Sequence, residues 1–122
     1  KMSTLNISAN NFQETVENNE IVILDYWAEW CGPCKAFGPI FEKAAEKHPD
    51  ITFGKVNTEK ESELASTFKI QSIPTLMVFK DNTLVFSQPG MLPGSALEEL
   101  ISKVKELDME EVKKQIQEEE KN

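Results

Sequence analysis

IVILDYWAEWCGPCK, residues 21–35, joins a nearly unbroken apolar run to two cysteines that are separated by two residues. The run at 21–28 is rich in β-branched and aromatic residues, which is typical of a central strand covered on both faces. Pro33 suits an early helical position, because its missing N–H would have no partner there. The cysteines therefore lie where a strand ends and a helix begins, and α/β sheets place their functional sites at that end of a strand.

The two cysteines, Cys31 and Cys34, have a spacing compatible with a metal site, a structural disulfide or a redox pair. Structural zinc needs about four ligands. The chain offers only this pair and one histidine, His48, so ligand number disfavours zinc. A disulfide across so short a loop stabilises a fold little, because the entropic gain grows with loop length. Redox chemistry is the favoured interpretation, and we interpret His48 as a solvated residue at a helix end, favoured by the helix dipole.

The predicted helix gives the two cysteines different chemistry. Its first turn has unpaired N–H groups and a partial positive charge, which stabilise a thiolate at Cys31. The thiolate is the reactive form of cysteine. Cys34, one turn further on, is predicted to be more buried and less reactive. We therefore predict that Cys31 attacks and that Cys34 resolves.

The composition is typical of a single globular domain, with 122 residues, 39% apolar content and a net charge of −8. This charge disfavours binding to nucleic acid or to an anionic membrane, because such binding needs clustered lysine and arginine. No apolar run reaches the roughly 18 residues of a membrane span, and the N-terminus lacks the pattern of a signal peptide. We interpret Met2 as the natural start, with Lys1 as an added residue, and predict a cytoplasmic location.

The rest of the chain alternates helical and strand patterns. A long helix over 32–48 is expected to kink at Pro39 and to stop before Pro49. The other predicted elements are a helix that starts near Asn10 and Gln13, a strand at 51–56, a helix at 59–68, strands at 75–80 and 83–88, and a helix capped by Ser95 and Glu98.

This order of elements predicts the fold class. Alternating strands and helices imply parallel β-α-β units. The two late strands form a hairpin that turns at Asp81-Asn82, residues that tolerate positive φ, and the hairpin adds an antiparallel edge. We therefore predict an α/β fold with a mixed central β-sheet flanked by helices.

Residues 24–35, LDYWAEWCGPCK, resemble the active-site stretch of the thioredoxin family. The resemblance extends over about residues 8–106 and implies the thioredoxin fold. Four downstream features agree with the family pattern, namely a helix proline, a strand with a lysine near the site, a cis-proline turn and a groove glycine: Pro39, Lys55-Val56-Asn57, Ile73-Pro74-Thr75 and Gly90.

The resemblance implies roles that spacing alone does not. Asp25 is expected to lie buried beneath the cysteines, with its pKa raised by burial, and to move protons to and from the resolving thiol. The alternative is a polar core residue whose hydrogen bonds are satisfied. Lys55 is expected to be its partner, the alternative being a plain surface lysine. Pro74 is expected to be cis, so that a substrate strand pairs with the backbone beside Cys31.

The resemblance also implies an apolar substrate-binding patch around Cys31, formed by Trp30, Gly32, Pro33, Ile73, Pro74 and Gly90. The alternative for Trp30 is a core position, and Trp27 is assigned to packing. The chain departs from the family at Pro89 and Met91, where thioredoxins carry small or β-branched residues. We include Met91 in the patch and expect the departure to alter which substrates dock.

Residues 108–122 extend beyond the usual end of the family domain and carry six acids against three lysines. Met109, Val112 and Ile116 recur at helical spacing, so the segment is compatible with an extra C-terminal helix or with a frayed tail. We divide the chain into a thioredoxin domain at 1–107 and an acidic C-terminal extension at 108–122.

In function, the resemblance implies a protein-disulfide reductase that performs dithiol–disulfide exchange through Cys31 and Cys34, as a monomer without a bound metal or cofactor. Its implied partners are disulfide-containing substrate proteins and an NADPH-dependent flavoprotein, thioredoxin reductase. Two alternatives stay open. A thiol oxidase or isomerase on the same fold is disfavoured by the Gly-Pro pair, since oxidising relatives carry a histidine there. A non-catalytic binding module would use the fold and its acidic tail as a scaffold.

Overall fold

Ten helices and strands follow one another in the computed structural model, which describes residues 3–121. The predicted start at Met2 lies outside the described residues. In chain order the elements are β1 (Leu5–Asn6), α1 (Phe12–Asn18), β2 (Ile21–Trp27), α2 (Gly32–Lys47), β3 (Thr52–Asn57), α3 (Ser62–Thr67), β4 (Thr75–Lys80), β5 (Thr83–Pro89), α4 (Gly94–Glu106) and α5 (Met109–Glu120).

The five strands form one sheet in the order β1-β3-β2-β4-β5. Strands β1 and β2 each run parallel to β3, whereas β4 is antiparallel to both β2 and β5. The β4–β5 hairpin turns at Asp81 and Asn82, whose φ angles are 51° and 59°. The predicted mixed sheet is confirmed, and its central strand is β2, which is buried from Ile21 to Tyr26.

Each face of the sheet packs against its own pair of helices, because side chains alternate along a strand. On one face, Ile21 and Ile23 of β2 pack with Phe37 and Phe41 of α2 and with apolar residues of α4. On the other face, Val22, Leu24 and Tyr26 pack with residues of α1 and α3. Burying a side chain as large as Phe41 contributes roughly 2–3 kcal/mol. The apolar run of β2 thus holds both helix layers in place.

Two of the predicted helix starts are wrong. The first helix begins at Phe12, with Asn11 rather than Asn10 in the N-cap position and without a side-chain cap. The predicted capping box of Ser95 and Glu98 does not form, because α4 begins at Gly94 and has no side-chain cap. Glu98 instead hydrogen-bonds to His48 at the end of α2, with 2.7 Å between Oε1 and Nε2. Glu98 thus bonds to a residue fifty positions away in sequence rather than to the start of its own helix.

The C-terminal segment is a helix, α5, rather than a frayed tail. Asp108 caps it, since its Oδ1 accepts hydrogen bonds from the backbone N–H groups of Glu110 and Glu111 at 3.1 and 3.3 Å. Met109 is buried, whereas Ile116 is 36% exposed. The helix is therefore anchored through its first turn, and its second half lies at the surface.

The C-terminal end of α4 is hydrogen-bonded to a buried lysine of the sheet. Lys80, the last residue of β4, is only 5% exposed. Its Nζ donates hydrogen bonds to the carbonyl oxygens of Val104, Lys105 and Leu107 at 2.8, 3.1 and 3.0 Å. A cation at a helix C-terminus is favoured by the helix dipole. This contact fixes the junction of α4 and α5 against β4.

Across residues 3–121, none of the helices combines the length and the apolar character that crossing a membrane requires.

Candidate active site

Cys31 occupies the cap position that begins α2. Its backbone is extended, with φ −88° and ψ 110°, and Pro33 stands in the first turn as predicted. The backbone N–H of Cys34 points at the Sγ atom of Cys31, with 3.2 Å between nitrogen and sulfur. An N–H group with no partner inside the helix thus faces the sulfur that is predicted to carry the negative charge.

Cys31 and Cys34 are joined by a disulfide, and their Cα atoms lie 5.2 Å apart. Each cysteine is 4% exposed. The prediction that Cys34 is the more buried of the two is wrong for this disulfide form, because the bonded sulfurs cover each other and pack with Ala28, Trp27 and Ile73. A difference between the two cysteines has to come from their surroundings, and the helix N–H that faces Cys31 provides one.

A chain of backbone contacts links the disulfide to the hairpin. The carbonyl oxygen of Ile73 lies 3.7 Å from Sγ of Cys31. The next peptide bond, Ile73–Pro74, is cis, as the resemblance predicted. The carbonyl oxygen of Pro74 accepts a hydrogen bond from the N–H of Gly90 at 2.8 Å. Gly90 has φ +98°, a conformation that residues with a side chain rarely adopt.

Most of the predicted substrate-binding patch lies at the surface. Trp30 is 67% exposed, which excludes the alternative of a core position, and Met91 is 39% exposed. Gly32, Pro33 and Gly90 are exposed and Ile73 is half-buried. Pro74 differs from the other residues of the patch, because its side chain is buried and its carbonyl oxygen accepts a hydrogen bond from Gly90. We call Trp30, Gly32, Pro33, Ile73, Gly90 and Met91 the active-site rim.

Asp25 is fully buried in β2, and among residues 3–121 neither of its carboxyl oxygens has a hydrogen-bond partner. The alternative of a satisfied polar core residue is therefore wrong. Burial raises the pKa of Asp25 to about 7, and the positive charge of Lys55 opposes part of that rise. A carboxyl group with this pKa changes its protonation near neutral pH.

Lys55 pairs with Asp25 across the parallel strands β2 and β3. It is half-buried, so the alternative of a plain surface lysine is wrong. Its Nζ lies 5.0 Å from the centre of the Trp27 ring, within the range of a cation–π contact. The same Nζ would lie 3.9 Å from a Cβ added to Gly38 of α2. The lysine thus occupies the layer between the sheet and α2, the layer that also contains the carboxyl group of Asp25.

Two polar contacts of the chain were not predicted from the sequence. The indole N–H of Trp30 donates to Oε2 of Glu59 at 2.7 Å. His48 ends α2 as predicted, but it is not solvated, because its side chain is 18% exposed and bonded to Glu98. The partners are 29 and 50 residues apart. No local pattern in the sequence indicates contacts over such separations.

Comparison with known proteins identifies the architecture. The family model described as Thioredoxin matches residues 3–119. The chain belongs to the thioredoxin family. It is 54% identical over 116 residues to "Putative thioredoxin 2" of Streptomyces coelicolor, covering 95% of this chain and 87% of that protein. It is 38% identical over 103 residues to thioredoxin of Alicyclobacillus acidocaldarius, covering 84% of this chain and 98% of that protein.

The fold agrees with solved thioredoxins. A structure of Plasmodium falciparum thioredoxin superimposes with a TM-score of 0.76 at 36% identity, covering 82% of this chain and 98% of that one. With this family and a Cys31–Cys34 pair at disulfide distance, the chain is a protein-disulfide oxidoreductase that works by dithiol–disulfide exchange. It acts on disulfide substrates and works with a reductase.

Proposed function

We propose that the chain reduces protein disulfides in two exchange steps, with Cys31 as the attacking and Cys34 as the resolving residue. The observation that carries this assignment is the N–H of Cys34, 3.2 Å from Sγ of Cys31 at the start of α2. A hydrogen bond from a helix N-terminus stabilises a thiolate and lowers the pKa of the attacking thiol.

In the first step, the Cys31 thiolate attacks one sulfur of the substrate disulfide. The substrate S–S bond breaks, its second sulfur leaves as a thiolate, and a mixed disulfide forms on Cys31. In the second step, the Cys34 thiolate attacks Sγ of Cys31. The mixed disulfide breaks and the substrate leaves with both sulfurs reduced. The Cys31–Cys34 dithiol has lost two electrons and is now a disulfide.

Asp25 is proposed to accept the proton that Cys34 loses in the second step. Its pKa of about 7 suits it to exchange protons near neutral pH. Asp25 is buried in β2 and Cys34 lies on the buried face of α2. Lys55, the neighbour of Asp25 on β3, is proposed to hold the pKa of Asp25 below the value that burial alone would give. The two exchange steps do not depend on Asp25 being the proton acceptor, so the role of Asp25 is tested separately.

Substrate docking is proposed to occur on the active-site rim, with Pro74 setting the backbone beside Cys31. The two thiols carry both electrons, so no resident cofactor or metal enters the cycle. We propose further that a thioredoxin reductase, an NADPH-dependent flavoprotein, restores the dithiol, and that the chain acts as a cytoplasmic monomer that does not bind nucleic acid. Residues 1–107 are proposed as the catalytic domain and 108–122 as an acidic extension.

The test of the two cysteine roles is trapping. Cys34→Ser should accumulate mixed disulfides with substrate proteins, visible on a non-reducing gel and released by dithiothreitol, because nothing resolves the bond at Cys31. Cys31→Ser should accumulate few. In the reduced protein, iodoacetamide at about pH 7 should label Cys31 well before Cys34. Trapping by Cys31→Ser, or faster labelling of Cys34, would reverse the assignment.

A second test separates reductase from oxidase. Reduction of insulin disulfides is measured first with dithiothreitol and then with NADPH and a thioredoxin reductase, which also tests the proposed partner. The reduction potential of the Cys31–Cys34 pair should lie near that of thioredoxins, about −270 mV, rather than near that of a strong thiol oxidant, about −120 mV. A potential close to the second value would favour the oxidase.

A further inference from the structure

The turn that follows β3 is held in one conformation beside the active site. The side chain of Asn57 accepts hydrogen bonds from the backbone N–H groups of Glu59 and Lys60 at 3.0 and 3.2 Å. Thr58 donates its backbone N–H and its hydroxyl to the carbonyl oxygen of Trp27 at 2.9 and 3.1 Å. The turn is therefore tied to the end of β2, and the position of Glu59 is fixed relative to the strand that leads to Cys31.

Glu59 forms a hydrogen bond with Trp30, the aromatic residue of the active-site rim. The indole N–H of Trp30 donates to Oε2 of Glu59 at 2.7 Å, a length typical of a hydrogen bond to a charged acceptor. Trp30 is nevertheless 67% exposed, so a broad part of its ring is open to a partner. A carboxylate accepts up to about four hydrogen bonds, so Glu59 keeps capacity for a second donor.

A cavity of about 190 Å³ opens beside Trp30. Trp30 and Ile73 form two of its walls, and its other lining residues are Thr58, Ala65, Ile70, Gln71 and Ser72. The cavity lies next to the disulfide, because the carbonyl oxygen of Ile73 is 3.7 Å from Sγ of Cys31. A side chain that neighbours the attacked cysteine of a substrate is within reach of this space.

We infer that Glu59 determines specificity and positions Trp30, so that the chain prefers substrates with a basic side chain next to the attacked cysteine. The aliphatic part of a lysine or arginine would lie on the indole of Trp30, and its cation would meet the carboxylate of Glu59. Aromatic rings and carboxylates both attract cations. This inference rests on the proposed docking of substrates on the active-site rim.

The charges around Trp30 set the size of the preference. Glu29, the exposed neighbour of Trp30 in sequence, adds a second negative charge, whereas Lys60, the exposed neighbour of Glu59, adds a positive one that reduces the local field. Ion pairs at such exposed sites are weak and sensitive to salt. We therefore expect a preference of about fivefold rather than an absolute requirement.

The first experiment uses three synthetic peptides, each with one internal disulfide, that carry Lys, Leu or Glu next to the attacked cysteine. The intact chain should reduce the Lys peptide with a KM about fivefold below that of the Glu peptide. Glu59→Gln keeps a hydrogen-bond acceptor and removes the charge, and it should bring the two KM values within about twofold, with the change falling on KM rather than kcat. Glu63→Gln, an exposed acid of α3, is the control and should leave the fivefold ratio in place.

The second experiment tests the positioning of the indole. Glu59→Ala removes the acceptor, so hydrogen exchange of the Trp30 indole N–H, followed by NMR, should accelerate at least tenfold and KM should rise for all three peptides. Glu59→Gln should restore slow exchange. The chain has two tryptophans, and the indole N–H of Trp27, which is buried, serves as the internal reference.

The outcomes separate this inference from the proposed function. An unchanged Lys-to-Glu ratio in Glu59→Gln overturns the role of Glu59 in specificity. If Trp30→Ala raises KM for all peptides in the same experiment, docking on the active-site rim stands without that role. If Trp30→Ala also leaves every KM unchanged, docking on this side of Cys31 is wrong, while exchange through the cysteines is judged by the trapping test alone.

Discussion

Asp25 and Lys80 are buried ionisable residues on neighbouring strands, and they differ in whether their polar atoms have partners. Lys80 pairs with Ile21, and Asp25 lies four residues further along the same face of β2. The Nζ of Lys80 donates hydrogen bonds to three carbonyl oxygens at the end of α4. Both oxygens of Asp25 lack a partner among residues 3–121. Both residues are buried, but only Lys80 has hydrogen-bond partners. We therefore associate Asp25 with the chemistry and Lys80 with the stability of the fold.

Replacing the unsatisfied acid should stabilise the protein, and the gain should depend on pH. The folded pKa of Asp25, about 7, is above its usual value of 3.8. As far as this group is concerned, the stability of the intact protein is highest below about pH 4, falls as pH rises from about 4 to 7, and levels off above that. Asp25→Asn has no such loss. Its advantage in the free energy of unfolding should grow by about 4 kcal/mol between pH 4 and pH 8.

Denaturant unfolding at several pH values measures this gain. Asp50 offers a control of opposite sign, because a hydrogen bond from Lys105 lowers the pKa of Asp50. Asp50→Asn should cost stability above about pH 4, and that cost should vanish as pH falls below the lowered pKa. A flat difference between Asp25→Asn and the intact protein across this range would contradict a raised pKa for Asp25.

Replacing the satisfied lysine should do the reverse. Lys80→Met keeps the aliphatic stem but leaves three carbonyl oxygens at the end of α4 without their donor. We expect the free energy of unfolding to fall by about 3 kcal/mol, while the reduction of insulin disulfides by the folded variant is retained. Lys103→Met, at an exposed position of the same helix, should change stability by less than about 0.5 kcal/mol. Lost activity in a folded Lys80→Met would show that Lys80 serves the reaction as well as the fold.

The proposed catalytic role of Asp25 is tested by measuring reaction rates. Asp25→Asn should slow turnover at about pH 7 by about tenfold, because Cys34 loses its proposed proton acceptor. The pH–rate profile of the intact protein should include an ionisation near pH 7 that the variant lacks. Stopped-flow measurement of the second exchange step isolates the effect on Cys34. Unchanged rates would make Asp25 a residue that costs stability without serving the reaction.

Removing α5 should have the smallest effect. Cutting the chain after Leu107 removes the buried side chain of Met109 and the surface part of the helix. We expect a fall of about 1 kcal/mol in the free energy of unfolding and full disulfide-reductase activity. Ile116→Ser, at a position that is 36% exposed, should change neither quantity measurably. A folded truncation without activity would place residues 108–122 in the catalytic unit and contradict the proposed division of the chain.

The features that could be predicted from the sequence are those that depend on neighbouring residues. The apolar run of β2, the helix that begins beside Cys31 and the turn at Asp81 and Asn82 each follow from neighbouring residues, and the structure contains all three. The cis bond before Pro74 was predicted through the family resemblance, because composition and spacing favour no such bond.

What escaped prediction depends on residues that meet only in the folded chain. The capping box at Ser95 did not form, because α4 begins one residue earlier, at Gly94, and Glu98 bonds to His48 instead. The clamp of Lys80 on α4 spans 24 to 27 residues, and a lysine at the end of a strand is usually solvent-exposed. The equal burial of Cys31 and Cys34 follows from their bond to each other, which a single helix position does not describe.

The placement of both cysteines in one helical turn has a consequence for the lifetime of the mixed disulfide. Their Cα atoms, 5.2 Å apart, are within the range of about 4.4–6.8 Å that a disulfide spans, so side-chain rotation alone can bring the sulfurs together or apart. Cys34 therefore meets Cys31 at the high effective concentration of a well-oriented intramolecular reaction, about 10⁵ M or more. Thiols in solution, present at millimolar levels or below, cannot compete with it. The mixed disulfide is therefore short-lived, and it ends in attack by Cys34 or in return of the substrate's own second thiolate rather than in capture by a free thiol.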